Sequence, residues 1–235
     1  MTAFLLTISI VVLGALLQAA TGLGAGLIVV PLLAMVNLQL VPGPMIFASL
    51  ALSTVMAYRG RADIAYANVH LLLAGVVLGT VAAAAMLTRL PPEDLGLVFG
   101  GFILAAVAIS IRSPSIPQVP AGMLGAGTLS GFMGTSAGIG APVLALLYQH
   151  QSGPTIRATL ALLYLFSSVV MLLALHLAGR FGDAEFRSGL LLMPGFLLGY
   201  LVSLRIVRHV DKGYARTAVV VISTLSALVL IWRSL

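Results

Sequence analysis

Apolar stretches long enough to cross a bilayer, roughly 20 residues each, alternate with short polar stretches along the whole chain. The polar stretches carry charge and proline: YRGRADIAYAN at 58–68, TRLPPED at 88–94, RSPSIPQVP at 112–120, YQHQSGP at 148–154, GRFGDAEFR at 179–187 and RIVRHVDKG at 205–213. Between them the pattern predicts spanning helices near 44–58, 69–88, 95–111, 155–178, 188–205 and 215–232. Two regions, near 3–38 and 120–149, do not fit a single crossing. Each is too long for one helix and is interrupted near its middle by glycine.

The two interrupted regions echo each other. A shift of 112 residues lays TGLGAGL (21–27) on MGTSAGI (133–139), matching Gly22 with Gly134, Ala25 with Ala137 and Gly26 with Gly138. A proline follows in both, Pro31 and Pro142. Just downstream, PGPMIFAS (42–49) resembles SGPTIRAT (152–159). Self-similarity at a fixed distance near half the chain points to an internal duplication, with repeat 1 over 1–112 and repeat 2 over 113–235.

Composition agrees with a single integral membrane domain. The chain is 60% hydrophobic and 8% charged, against about 25% charged in globular domains, and its mean hydropathy is +1.15. The absence of cysteine removes disulfides, thiolate catalysis and iron–sulfur ligation. The N-terminal MTAFLLTISI lacks a basic flank, and the first cation is Arg59, so a retained first segment is expected in place of a cleaved signal.

Charge also orients the chain. If each interrupted region crosses an even number of times, each half crosses an odd number and the second half is inverted. One side then carries Arg59, Arg61, Arg112, Arg157, Arg205, Arg208, Lys212 and Arg216, and the other Arg89, Arg180, Arg187 and Arg233. A single crossing for each region would divide these twelve cations evenly. The positive-inside rule places the richer side in the cytoplasm and both termini outside. The expected fold is an all-α polytopic membrane protein of two inverted repeats, each a Gly-broken hairpin plus three transmembrane helices. The expected location is a bacterial inner membrane.

A broken helix frees backbone N–H and C=O groups, which hydrocarbon cannot satisfy. Paired Gly/Pro-interrupted segments at matching places in two halves are therefore the strongest sequence pointer to a transport site. The competing reading is close helix packing, since Gly22/Gly26 and Gly134/Gly138 have small-xxx-small spacing. Gly24, on another helical face, and the recurrence in both halves favour the site. The second piece of each region would present N–H groups and a positive dipole end to an anion. Polar side chains cluster at the breaks: Gln18 and Thr21 in the first half, Ser130, Thr135 and Ser136 in the second. The candidate substrate-binding set is these five with Gly22, Gly24, Gly26, Gly134 and Gly138. Arg157, just after Pro154 at the start of a span, joins it as a gate or attracting cation. The competing reading for Arg157 is an interfacial snorkelling side chain.

GALLQAATGLGAGLIVVPLLAMV and its echo GTLSGFMGTSAGIGAPVLALL resemble the TauE/SafE sulfite exporter family, the TSUP transporters, over nearly the whole chain as two half-repeats. IRATLAL resembles the stretch that follows in the family's second half. The resemblance implies export of sulfite or organosulfonates such as sulfoacetate. Thr135 and Ser136 stand where the family pattern has further glycines, which leaves the particular anion open.

The partners expected are a small anion (sulfite, sulfonate or similar) and the lipid bilayer, with homo-oligomers left open and nucleic acid not expected. No cofactor or metal is expected, because the four histidines are scattered and nothing has metal-ligand spacing. His70 and His176 lie near span ends. All six carboxylates fall in polar stretches, so proton coupling would need a histidine or the anion itself. The rival function is an intramembrane serine hydrolase: GTSAG (134–138) matches the G-x-S-x-G nucleophile pattern, with His150 or His176 as a base. The echo argues against it by placing Gly24 opposite Ser136.

Overall fold

A computed structural model describes residues 2–22, 25–91, 94–112, 116–206 and 212–234. Among these the chain is all helical, with no strand. The first half contains α1 (Thr2–Thr21), α2 (Gly26–Val36), α3 (Gly43–Arg59), α4 (Val69–Leu87) and α5 (Leu95–Arg112). The second contains α6 (Pro120–Ala137), α7 (Ala141–Tyr148), α8 (Gly153–Leu177), α9 (Asp183–Ile206) and α10 (Lys212–Ser234). Among the described residues five helices, α1, α4, α5, α8 and α9, include stretches long and apolar enough to cross a membrane. Large side chains such as Leu78, Val81, Leu173, Leu201 and Trp232 stand exposed along the outside, where only hydrocarbon suits them. The chain is a multi-pass membrane protein.

Both interrupted regions are broken helices. In each, a long first piece is followed by a short second piece of 11 residues (α2) or 8 residues (α7). Each first helix ends on a glycine in the left-handed region, Gly22 at φ +79° and Gly138 at φ +74°. Glycine adopts this conformation without the Cβ penalty that other residues meet. The two terminating glycines are thus Gly22 and Gly138, whereas the 112-residue echo matched Gly22 with Gly134.

The two halves pack by exchange. The fourth helix of each lies along the first helix of the other: α4 on α6 and α9 on α1. Third packs on third, α3 on α8, and fifth on fifth, α5 on α10. Small residues allow the first two crossings. A side chain at Gly75 or Gly79 of α4 would collide with the carbonyl of Leu124 or Thr128, and one at Gly127 or Gly131 of α6 with that of Leu72 or Val76. In the related crossing, a side chain at Gly199 of α9 would collide with the carbonyl of Val12. Such close approach is the usual device of membrane helices, which gain little from burying apolar surface against each other.

One boundary differs from expectation. α9 starts at Asp183, five residues before the predicted span, because the Glu185 carboxylate accepts the Gly182 N–H at 2.8 Å. That single back-reaching cap, with two acidic groups in the first turn, suits a helix N-terminus.

Candidate functional site

The tips of the two broken helices meet. A side chain at Gly26, the first residue of α2, would collide with the carbonyl of Gly138, the last turn of α6. Around this contact lies a cavity of about 70 Å³, room for several water-sized groups. Gln18, Gly26, Ser130, Gly134, Gly138 and Gly140 line it from the broken helices, and Ser49, Ser53, Tyr164, Ser167 and Ser168 from α3 and α8. Met45, Ile46, Leu144, Met171 and Phe196 complete an apolar wall. No charged side chain lines it among the described residues.

Polar side chains satisfy part of each break. The Gln18 side-chain oxygen accepts the Ala25 N–H at 2.8 Å, bridging α1 to the start of α2. The Tyr164 hydroxyl donates to the Gly22 carbonyl at 3.0 Å, and the Ser130 hydroxyl to the Gly140 carbonyl at 2.9 Å. Neither α2 nor α7 has a side-chain cap at its N-terminus, and the first N–H groups of a helix have no partner within it. Two buried hydroxyls lining the cavity lack any partner among the described residues, Ser53 and Ser167. They are 0% and 2% exposed. A buried hydroxyl without a partner is costly and rare, so both are donors in search of an acceptor.

The residues singled out from sequence divide into three groups. Gln18, Gly26, Ser130, Gly134 and Gly138 line the cavity. Gly22 sits at the break with its carbonyl held by Tyr164, and Thr21 donates to the Leu17 carbonyl at 2.7 Å. Thr135 and Ser136 are fully buried but outside the cavity lining. The hydroxyls of Thr135 and Thr80 join α6 to α4 at 3.0 Å, and Ser136 donates to the Phe132 carbonyl at 2.5 Å. Gly24 lies outside the described residues. Ser53 and Ser167 were not anticipated: single serines inside apolar helices carry no pattern, and only α3 meeting α8 reveals them.

Two further hollows flank the cavity. Passing along α3, Pro44 lines one hollow, Ser49 and Ser53 line the cavity, and Arg59 lines the other. Passing along α8 the order reverses, from Arg157 through Ser167 to Leu175. The three spaces therefore stack between two helices that run in opposite directions. The hollow near Arg59 and Arg157 measures about 230 Å³ and the one near Arg180 about 670 Å³. Arg180 donates from one nitrogen to the carbonyls of Leu87 and Leu90, at 2.9 and 2.7 Å, capping α4.

A cavity with charge-free walls and several hydroxyls, set between two broken helices inside a multi-pass membrane protein, is the arrangement of a transporter. The family model for the sulfite exporter TauE/SafE matches residues 6–230, and the chain belongs to that family of membrane transporters. Neither the curated proteins nor the solved structures yield a match.

Proposed function

We propose that the protein exports a small sulfur oxyanion, sulfite or an organosulfonate, through the cavity between the two broken helices. The observation that carries this reading is the pair of unpartnered hydroxyls, Ser53 and Ser167, facing the same space as the starts of α2 and α7. Hydroxyl donors and helix N-termini both favour an oxyanion. Gln18, Ser130 and the glycines at Gly26, Gly134 and Gly138 shape the space and let backbone approach the ligand. Neutral donors select an anion and still release it, whereas a buried guanidinium would hold it more firmly. Thr21, Gly22, Thr135 and Ser136 act from the surrounding shell.

The same reading makes residues 1–112 and 113–235 inverted repeats. The exchange of helix partners and the opposed directions of α3 and α8 support it. With the cation-rich loops in the cytoplasm, both termini lie outside, and the membrane is a bacterial inner membrane. The hydrolase reading has less support: Ser136 lies inside α6, and its hydroxyl is engaged by Phe132. Among the described residues no strand precedes it, as a nucleophile elbow requires.

Counterflow of labelled sulfite, sulfoacetate and sulfate in proteoliposomes tests the proposal. Exchange of at least one sulfur oxyanion, blocked by the others in a defined order, is expected. Absence of exchange for all three would overturn it.

A further inference from the structure

Two guanidiniums and one carboxylate line the hollow beside the cavity. Arg59 ends α3 and is exposed; Arg157, in the second turn of α8, is half-buried. Neither makes an ion pair or hydrogen bond among the described residues. Asp63 is the one carboxylate lining the hollow there, and it lies outside ion-pair distance of both. Two like charges facing one partly buried space repel each other, and an anion between them relieves that repulsion. Tyr200 and Ser203, whose hydroxyl donates to the Tyr200 carbonyl, complete this part of the lining.

The hollow adjoins the cavity directly. Ala19 faces the hollow while Gln18 faces the cavity, and on α3 Met56 lies about one turn beyond Ser53. A side chain at Gly22, at the helix break, would lie 3.4 Å from both Cα and Cγ of Arg157. The opposite hollow differs in the matching place. Phe47, the repeat counterpart of Arg157, sits among Phe181 and Phe186, with ring centres 6.0 and 4.7 Å away. The charged groups of that hollow, Arg180 and Glu185, are both engaged in capping helix ends.

We infer that the hollow between Arg59 and Arg157 is a second oxyanion site, from which the cavity is loaded on that face alone. The inference rests on the oxyanion reading above. Its physical content is a difference in half-saturation between faces. It leaves the equilibrium distribution of the anion unchanged, because a binding site alone supplies no driving force.

Titration calorimetry of the full-length protein with sodium sulfite, in zwitterionic lipid nanodiscs, tests it. Two binding events are expected. The event at the arginine-lined hollow weakens steeply as ionic strength rises, while the event in the cavity, whose lining carries no charge, changes less. Arg59→Gln and Arg157→Gln each weaken the salt-sensitive event about tenfold, the loss of one charge-assisted hydrogen bond, and spare the other. The double variant Ser53→Ala/Ser167→Ala does the reverse, so its silence would sink the cavity reading and not this one. A wild-type titration with only a salt-insensitive event overturns the inference without any variant. So does an arginine variant that binds like wild type, or loss of the salt-sensitive event when anionic lipid is added, which would assign the arginines to headgroup phosphates.

Discussion

Ser223 of α10 donates its hydroxyl to the carbonyl of Leu27 in α2. That carbonyl is the one an N–H at position 31 would reach in a regular helix, and position 31 is proline. A helix from the far end of the chain thus supplies the hydrogen bond that Pro31 removes from the first broken segment. The partner is needed because the Leu27 carbonyl is buried where water cannot replace it.

Ser223→Ala is expected to lower stability by about 1–3 kcal/mol, the cost of an orphaned buried acceptor. Pro31→Ala restores the missing N–H. In that background Ser223→Ala costs much less. A thermal-unfolding double-mutant cycle in detergent measures the coupling, and additive effects would sever the link between the two positions.

Ser53→Ala and Ser167→Ala have the opposite stability signature. Each removes a buried hydroxyl that has no partner, so unfolding midpoints hold or rise. The half-saturation for sulfite rises by a factor of about 2 to 10 for each, one neutral hydrogen bond. Stability loss with unchanged transport would assign these serines to packing.

Gly26→Ala places a methyl against the Gly138 carbonyl. The two tips must separate, which widens the cavity at its narrowest contact. Transport in proteoliposomes is expected to fall more than tenfold, because the backbone itself moves away from the ligand. Wild-type rates from a folded Gly26→Ala protein would show that the contact between tips is not needed.

Thr135→Val breaks the hydroxyl contact with Thr80 and leaves the latter's hydroxyl buried. The expected loss is about 0.6 to 2 kcal/mol, in the range measured for hydrogen bonds between membrane helices. Thr80→Val/Thr135→Val recovers part of it, since both partners are then apolar. Sulfite half-saturation stays at the wild-type value. A raised half-saturation with normal stability would bring Thr135 into the binding site.

Much of the architecture is legible in the sequence for simple reasons. Gly and Pro inside otherwise unbroken apolar runs mark both helix breaks, and charge marks the loops. Which glycine ends each first helix is not legible, because Gly22, Gly24 and Gly26 stand together in the first region and Gly134, Gly138 and Gly140 in the second; the left-handed ones are Gly22 and Gly138. The glycines that carry the helix crossings, Gly75, Gly79, Gly127, Gly131 and Gly199, lie elsewhere. Their spacing of four is visible at 75/79, 127/131 and 195/199, but only the exchange of partners says which helices they join. Thr135 and Ser136 draw notice because they interrupt a glycine motif, yet their hydroxyls serve the helix and its neighbour. Ser53 and Ser167 are ordinary in sequence and become significant only when α3 and α8 are brought face to face.

The exchange of helices also sets a timetable for biogenesis. α1 leaves the ribosome first, but the helix that covers it, α9, is made near the end of synthesis. α4 likewise waits for α6. During that interval the face of α1 that α9 covers and the glycine-notched face of α4 are without these partners. The N-terminal half therefore lacks the packing partners of α1 and α4 until the second half is made. Its final packing is decided when the second half arrives to complete each pair.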